Sequence, residues 1–280
     1  MKCVYEGFNG INLVADEFGD RENAEKFVLF AHGGGQTRHA WQSSAKLLAA
    51  KGMHALSLDL RGHGESDWAT DGDYSIESFA HDLVKIAATL PRPPVLVGAS
   101  LGGISGMIAT GELKKDGFEA LVLVDIAPKM DEEGVGRIVS FMGQDLENGF
   151  ESLEAAAQSI ANYLPHRKQP KNLSGLKKNL RLGEDGRYRW HWDPRFMTGT
   201  SRPSASKDPN RLNNALRSAL IPLLLIRGKM SELVTEAAVE DFLRTVPHAK
   251  YADVSDAGHM VAGDNNEVFT HALIEFLDAM

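Results

Sequence analysis

Several structural resources are scarce or missing in this chain, and each absence removes a class of protein. Among 280 residues there is one cysteine, Cys3, which excludes an intrachain disulfide and a thiolate metal cluster. No apolar run is long enough to span a membrane. The opening residues, Met1-Lys2-Cys3-Val4-Tyr5-Glu6, lack the apolar stretch of a signal peptide. A cytoplasmic location is therefore expected, with Cys3 an inert residue of the first strand. Positive charge is in deficit: 30 Lys and Arg stand against 38 Asp and Glu, a net charge of −8. That balance argues against nucleic acid or an anionic membrane as the main partner. Internal repeats and low-complexity tracts are missing too. What is present is 43% hydrophobic residues, enough for a sizeable core in one large or two small domains. Oligomeric state is left open.

Short aliphatic or β-branched runs alternate with helical periodicity. Strands are expected at Ile11–Phe18, Phe27–Ala31, His54–Asp59, Pro94–Val97, Leu121–Asp125, Pro222–Ile226 and Lys250–Val254. Helices are expected at Ala40–Lys51, Ser75–Leu90, from Leu101 to about Gly111, and at Val268–Met280. Such alternation implies an α/β fold with a largely parallel sheet covered on both faces. Ligands of such sheets bind beyond the carboxyl ends of the strands. Residues 129–210 interrupt the pattern with helical pieces at Val135–Leu146 and Leu153–Leu164. A segment that long is not a structureless loop in a compact domain. It reads as a helical cap inserted into a core made of residues 1–128 and 211–280.

Gly98-Ala99-Ser100-Leu101-Gly102 joins an apolar strand to a small-residue helix, the setting of a nucleophile elbow. A serine nucleophile needs a base, an acid to orient the base, and donors for the oxyanion. His259 follows the last expected strand in Ala257-Gly258-His259-Met260, and imidazole is suited to accept and return a proton near neutrality. Two carboxylates compete to orient it. Glu232, after the penultimate strand, is the expected acid; Asp125, at the end of the strand before it, is the alternative. Either gives the chain order Ser, acid, His. The Leu101 N–H comes with the elbow as one oxyanion donor. Gly34, in His32-Gly33-Gly34-Gly35, is the expected second, because successive glycines let the backbone approach a substrate. His32 is expected to brace that turn by hydrogen bonding. Nothing in the spacing of His, Asp, Glu and Cys suggests a metal site, and this chemistry needs no cofactor.

His32-Gly33-Gly34-Gly35 with Trp41 beyond, Asp59-Leu60-Arg61-Gly62-His63-Gly64-Glu65-Ser66, the Ser100 elbow and Gly258-His259 together resemble the α/β-hydrolase fold superfamily. Within it the pattern is similar to the epoxide-hydrolase-like and cofactor-free haloperoxidase-like esterase branch. The resemblance covers nearly all the chain except the cap. It implies a mostly parallel eight-stranded sheet flanked by helices, a helical cap inserted after the sixth strand, and a triad of Ser100, Glu232 and His259. It also implies that the Asp59–Ser66 stretch is a structural loop near the site. A serine in place of the carboxylate nucleophile points to acyl transfer rather than displacement at saturated carbon. The expected activity is hydrolysis of a small carboxylic ester or lactone. C–C bond hydrolysis and perhydrolysis would use the same triad, and a non-catalytic small-molecule binding protein is the reading from a different class.

In the cap, Phe141, Met142, Tyr163 and Leu164 are apolar enough to line an acyl pocket, although packing within the cap is the favoured expectation for them. Alternation in Trp190-His191-Trp192-Asp193 puts both tryptophans on one side of an extended segment. Gly35, Trp41 and Met260 complete the expected substrate contacts. Arg167, Lys168, Lys171, Lys177, Lys178, Arg181, Arg187 and Arg189 form a local basic stretch, which either steers an anionic substrate or forms a solvated outer face.

Overall fold

The computed structural model describes residues 1–164, 173–201 and 208–280. Its centre is an eight-stranded sheet built from β1 (Lys2–Glu6), β2 (Asn12–Phe18), β3 (Phe27–Ala31), β4 (His54–Leu58), β5 (Val95–Ala99), β6 (Ala120–Val124), β9 (Leu223–Gly228) and β10 (Lys250–Val254). The spatial order is β1-β2-β4-β3-β5-β6-β9-β10. Only β1 with β2 and β2 with β4 pair antiparallel; the other pairs are parallel.

The central parallel strands β3, β5 and β6 are apolar on both sides because helices cover both faces. In β3, Val28 and Phe30 join the cluster formed with α1 (Gln42–Ala50), α9 (Val261–Asp264) and α10 (Asn266–Asp278). Leu29 and Ala31 face the opposite layer of α2 (Ile76–Ala87), α3 (Leu101–Ile108), α7 (Pro209–Ser218) and α8 (Glu236–Thr245). Helix α2 starts where Ser75 accepts a hydrogen bond from the Ser78 N–H, an N-cap. The expected helix from Ala40 divides in two: a 3-10 turn over Arg38–Trp41 leads into α1.

After the sixth strand the chain leaves the sheet. The insert comprises α4 (Glu132–Gly143), α5 (Leu153–Tyr163), a 3-10 segment (Leu173–Asn179), β7 (Leu180–Leu182), β8 (Tyr188–Trp190) and α6 (Arg195–Thr198). β7 and β8 form a small antiparallel hairpin that helical periodicity alone does not disclose. The basic residues Arg167, Lys168 and Lys171 lie outside the described residues. No helix among the described residues is long and apolar enough to cross a membrane.

The Asp59–Ser66 stretch ties the two layers together with buried charge. Arg38 donates its backbone N–H and its guanidinium to Asp59, and the Glu65 N–H also reaches Asp59. Arg61, 2% exposed, holds Asp82 through two hydrogen bonds of 2.6 and 2.8 Å. A buried bidentate pair of this kind fixes geometry more than it adds stability. Here it anchors the loop beneath the site.

Candidate active site

The loops after β3, β5, β6 and β10 converge at the carboxyl edge of the sheet. Ser100 leaves β5 with φ 43° and ψ −111°, a backbone conformation that a residue with a side chain avoids. The flanking glycines serve close approach. A Cβ on Gly102 would sit 2.3 Å from the Ala31 carbonyl oxygen, and one on Gly98 would sit 2.6 Å from the Gly102 backbone. The serine itself carries the strained dihedral, and this presents its side chain at the N-terminus of α3.

Asp125, directly after β6, also has positive φ, 48°. Its carboxylate is fully buried and accepts three hydrogen bonds: from the Gly228 N–H at 3.0 Å, the Ser231 hydroxyl at 2.6 Å and His259 Nδ1 at 2.8 Å. The expectation that Glu232 orients His259 is corrected by this arrangement. Glu232 points away, its side chain 69% exposed, and pairs with Arg137 Nε at 2.8 Å. The physical reason lies one residue earlier. Ser231 turns inward to Asp125 while its oxygen also accepts the Leu233 and Val234 N–H groups, so the next side chain is directed outward onto α4. With Nδ1–H given to Asp125, His259 keeps Nε2 as an acceptor.

The glycine turn after β3 has an ordered distribution of backbone donors. The Gly33 N–H goes to Gln36 Oε1 at 2.9 Å and the Gly35 N–H to His63 Nε2 at 3.1 Å. Among the described residues, the Gly34 and Leu101 N–H groups have no partner within the protein. Both residues line the same cavity as Ser100 and His259. Two free N–H groups at the cavity that Ser100 lines are chemically suited to receive a developing negative charge.

Three histidines hold this turn. His32 Nε2 accepts the Leu60 N–H and its Nδ1–H donates to the Gly33 carbonyl, at 3.0 and 2.8 Å. His63 donates from Nδ1 to the Arg61 carbonyl while accepting from Gly35. His191, from the insert, accepts the Gly64 N–H at Nδ1 and donates from Nε2 to the Gly35 carbonyl, at 2.6 and 3.3 Å. The rings follow one another at centroid distances of 5.2 and 5.8 Å. Each ring must stay neutral, because each uses one nitrogen as an acceptor. Burial accordingly pushes all three down to about 3. These values lie below the unperturbed value of about 6.5, so the unfolded chain binds protons that the folded chain refuses. Stability from this source is complete above about pH 6.5 and is lost as pH falls from there toward 3. Between pH 6 and 5, unfolding free energy measured in urea should fall by about 1.4 kcal/mol per pH unit for each histidine. His63→Gln should flatten that slope; an unchanged slope would count against a neutral His63.

The cavity measures about 630 Å³, within the range of small-molecule sites. Phe141, Met142, Tyr163 and Leu164 line it from the insert. Phe141 stacks on Tyr163 with centroids 4.2 Å apart. Trp190 and Trp192 both line it and stack at 4.9 Å, with a 9° interplanar angle. Gly35 lies against Trp192 and Met142, each 3.1 Å from where a Cβ would stand. Met260 meets Gln36 Nε2 through its sulfur at 3.0 Å. Trp41 also borders the cavity, but it is only 1% exposed and stacks on Phe30 at 5.1 Å, so it backs the site more than it opens to it. Gln36, His191 and Ser231 are positioning residues that sequence reasoning did not single out for the site, whereas His63 belongs to the Asp59–Ser66 stretch expected to be a structural loop beside it. For His63 the flanking Gly62 and Gly64 were the available signal; His191, between Trp190 and Trp192, had none of that kind. No cluster of three or more His, Cys, Asp or Glu among the described residues is placed to hold a metal ion.

Residues 26–265 match the family model described as alpha/beta hydrolase fold. The chain is 29% identical over 259 residues to esterase Rv0045c of Mycobacterium tuberculosis, an alignment covering 89% of this chain and 80% of that protein. It is 28% identical over 273 residues to the 3-hydroxybutyrate-oligomer hydrolase of Cupriavidus necator, covering 92% and 90%. The crystal structure of E-2-(acetamidomethylene)succinate hydrolase matches with a TM-score of 0.84 at 23% identity, covering 99% of both chains; this is a likeness of fold. The sheet order, the strained serine between β5 and α3, and the match over most of the sequence agree, and the chain belongs to the alpha/beta-hydrolase fold family.

Proposed function

We propose that the chain is a serine hydrolase acting on a carboxylic ester or lactone of modest size through an acyl-enzyme. The observation that carries this reading is the meeting of Ser100, the His259–Asp125 pair and two unpartnered backbone N–H groups at one cavity. Ser100 attacks the carbonyl while His259 Nε2 takes its proton. Asp125 holds the imidazole in the tautomer that leaves Nε2 free and stabilises the imidazolium. The developing oxyanion is received by the Gly34 and Leu101 N–H groups, aided by the positive end of α3. His259 then returns the proton to the departing alcohol, and water activated at the same nitrogen releases the acid. Residues 129–210 act as a cap whose apolar side chains receive the acyl or alkoxy portion. The relatives named as an esterase and as an oligomer hydrolase support ester cleavage.

The test is turnover of p-nitrophenyl butyrate, followed by treatment with diethyl p-nitrophenyl phosphate. Activity should disappear as one phosphoryl group is transferred per chain, and peptide mapping should place it on Ser100. Turnover that survives the label, or a label on another residue, would overturn the assignment.

A further inference from the structure

The lining of the cavity contains an electrostatic asymmetry that ester hydrolysis alone does not require. Among the described lining residues there is no carboxylate, and Lys178 alone carries a formal charge. Lys178 stands near the end of the 3-10 segment Leu173–Asn179, and its side chain is exposed. Among the described residues it makes no hydrogen bond or ion pair. The other basic residues farther along that stretch are engaged elsewhere. Arg181 lies over the Trp68 ring at 4.1 Å. Arg187 donates to the Asn148 and Gly149 carbonyls, and Arg189 pairs with Asp185 at 2.6 Å. Beside Lys178, Asn179 and Thr37 line the cavity and approach each other at 3.4 Å. His39 also lines the cavity, with its Nδ1 turned toward the Asp16 carboxylate at 3.9 Å. Away from the Ser100–His259 end, one rim of this largely apolar cavity therefore offers a free cation and neighbouring polar groups.

We propose that this site takes esters bearing a carboxylate remote from the scissile carbonyl, with that carboxylate received by Lys178 while the apolar portion lies under the cap. The inference rests on the hydrolase reading and specifies its substrate class. A single flexible ammonium suits a monoanion. A phosphate dianion would call for a guanidinium fork or a set of backbone N–H groups, and the free N–H groups here are those beside Ser100. Low-dielectric walls strengthen the attraction, and exposure of the ammonium to solvent makes it sensitive to salt.

The experiment compares p-nitrophenyl hydrogen adipate with its neutral methyl ester, on the wild type and on Lys178→Met. Turnover is measured as kcat/KM, and binding is measured separately on the Ser100→Ala background, with and without Lys178→Met. At low ionic strength the anionic ester should be preferred about tenfold. Lys178→Met should remove that preference while leaving the neutral ester within twofold. Lys178→Glu should invert it. Equal handling of the two esters by the wild type would overturn the proposal, as would a preference that survives Lys178→Met. Should neither ester turn over while the anion still binds in a Lys178-dependent way, the recognition site stands and the hydrolase reading falls.

Discussion

Ser100→Ala should lower kcat for an activated ester on the order of 10⁴-fold or more, while the protein stays folded and KM changes little. The effect is large because, in the proposed mechanism, the Ser100 hydroxyl oxygen forms the acyl bond. Residual rate would come from the cavity and from the Gly34 and Leu101 N–H groups, which alanine leaves in place. The strained backbone supplies an internal control. At φ 43° alanine retains the Cβ responsible for the strain, whereas glycine does not. Ser100→Gly should therefore be as inactive as Ser100→Ala yet more stable by about 1–2 kcal/mol, read from urea unfolding. Steady-state kinetics on both variants tests the role of the hydroxyl directly; appreciable turnover by Ser100→Ala would remove serine from the mechanism.

Asp125→Asn should reduce kcat by about 10³–10⁴-fold, and Glu232→Gln should stay within about twofold of wild type. The carboxylate of Asp125 accepts from three donors, the Gly228 N–H, the Ser231 hydroxyl and His259 Nδ1. An asparagine amide cannot satisfy all three: its NH₂ must face a donor, and the usual outcome is a histidine in the wrong tautomer. Glu232 makes one exposed ion pair with Arg137, an interaction worth about 0–1 kcal/mol. Parallel pH–rate profiles of the two variants discriminate further. Equal losses in both would mean that the loop after β9 rearranges around His259 when substrate binds.

Much of this was legible in the sequence because the informative residues sit at strand ends. The run Phe27–Ala31 gives a strand with those bounds, since an uninterrupted apolar run next to a turn leaves few alternatives. The elbow and the glycine turn are visible for the same reason: close backbone approach demands glycine at particular places. Choosing between Asp125 and Glu232 was beyond sequence reading. Both satisfy the chain order, and the decision depends on which way one loop turns after β9, a matter of Ser231 reaching back to Asp125. The insert was legible only as helical and apolar. The β7–β8 hairpin rests on strands of three residues each, too short for periodicity to register. The part played by His191 depends on contact with Gly35 and Gly64, more than a hundred residues away in the chain.

That contact bears on how such a protein can change over evolution. His191 belongs to the insert, yet its two nitrogens satisfy the carbonyl of Gly35 and the N–H of Gly64, both in the core. An insert transplanted from another family member, without a histidine at this place, would leave those two part-buried groups unpaired, at a cost of about 1 kcal/mol each. It would also loosen the turn that presents Gly34. The segment is thus not an interchangeable module. New substrate scope is more accessible to this chain by single replacements at wall positions such as Phe141, Met142 or Lys178 than by recombination of whole inserts.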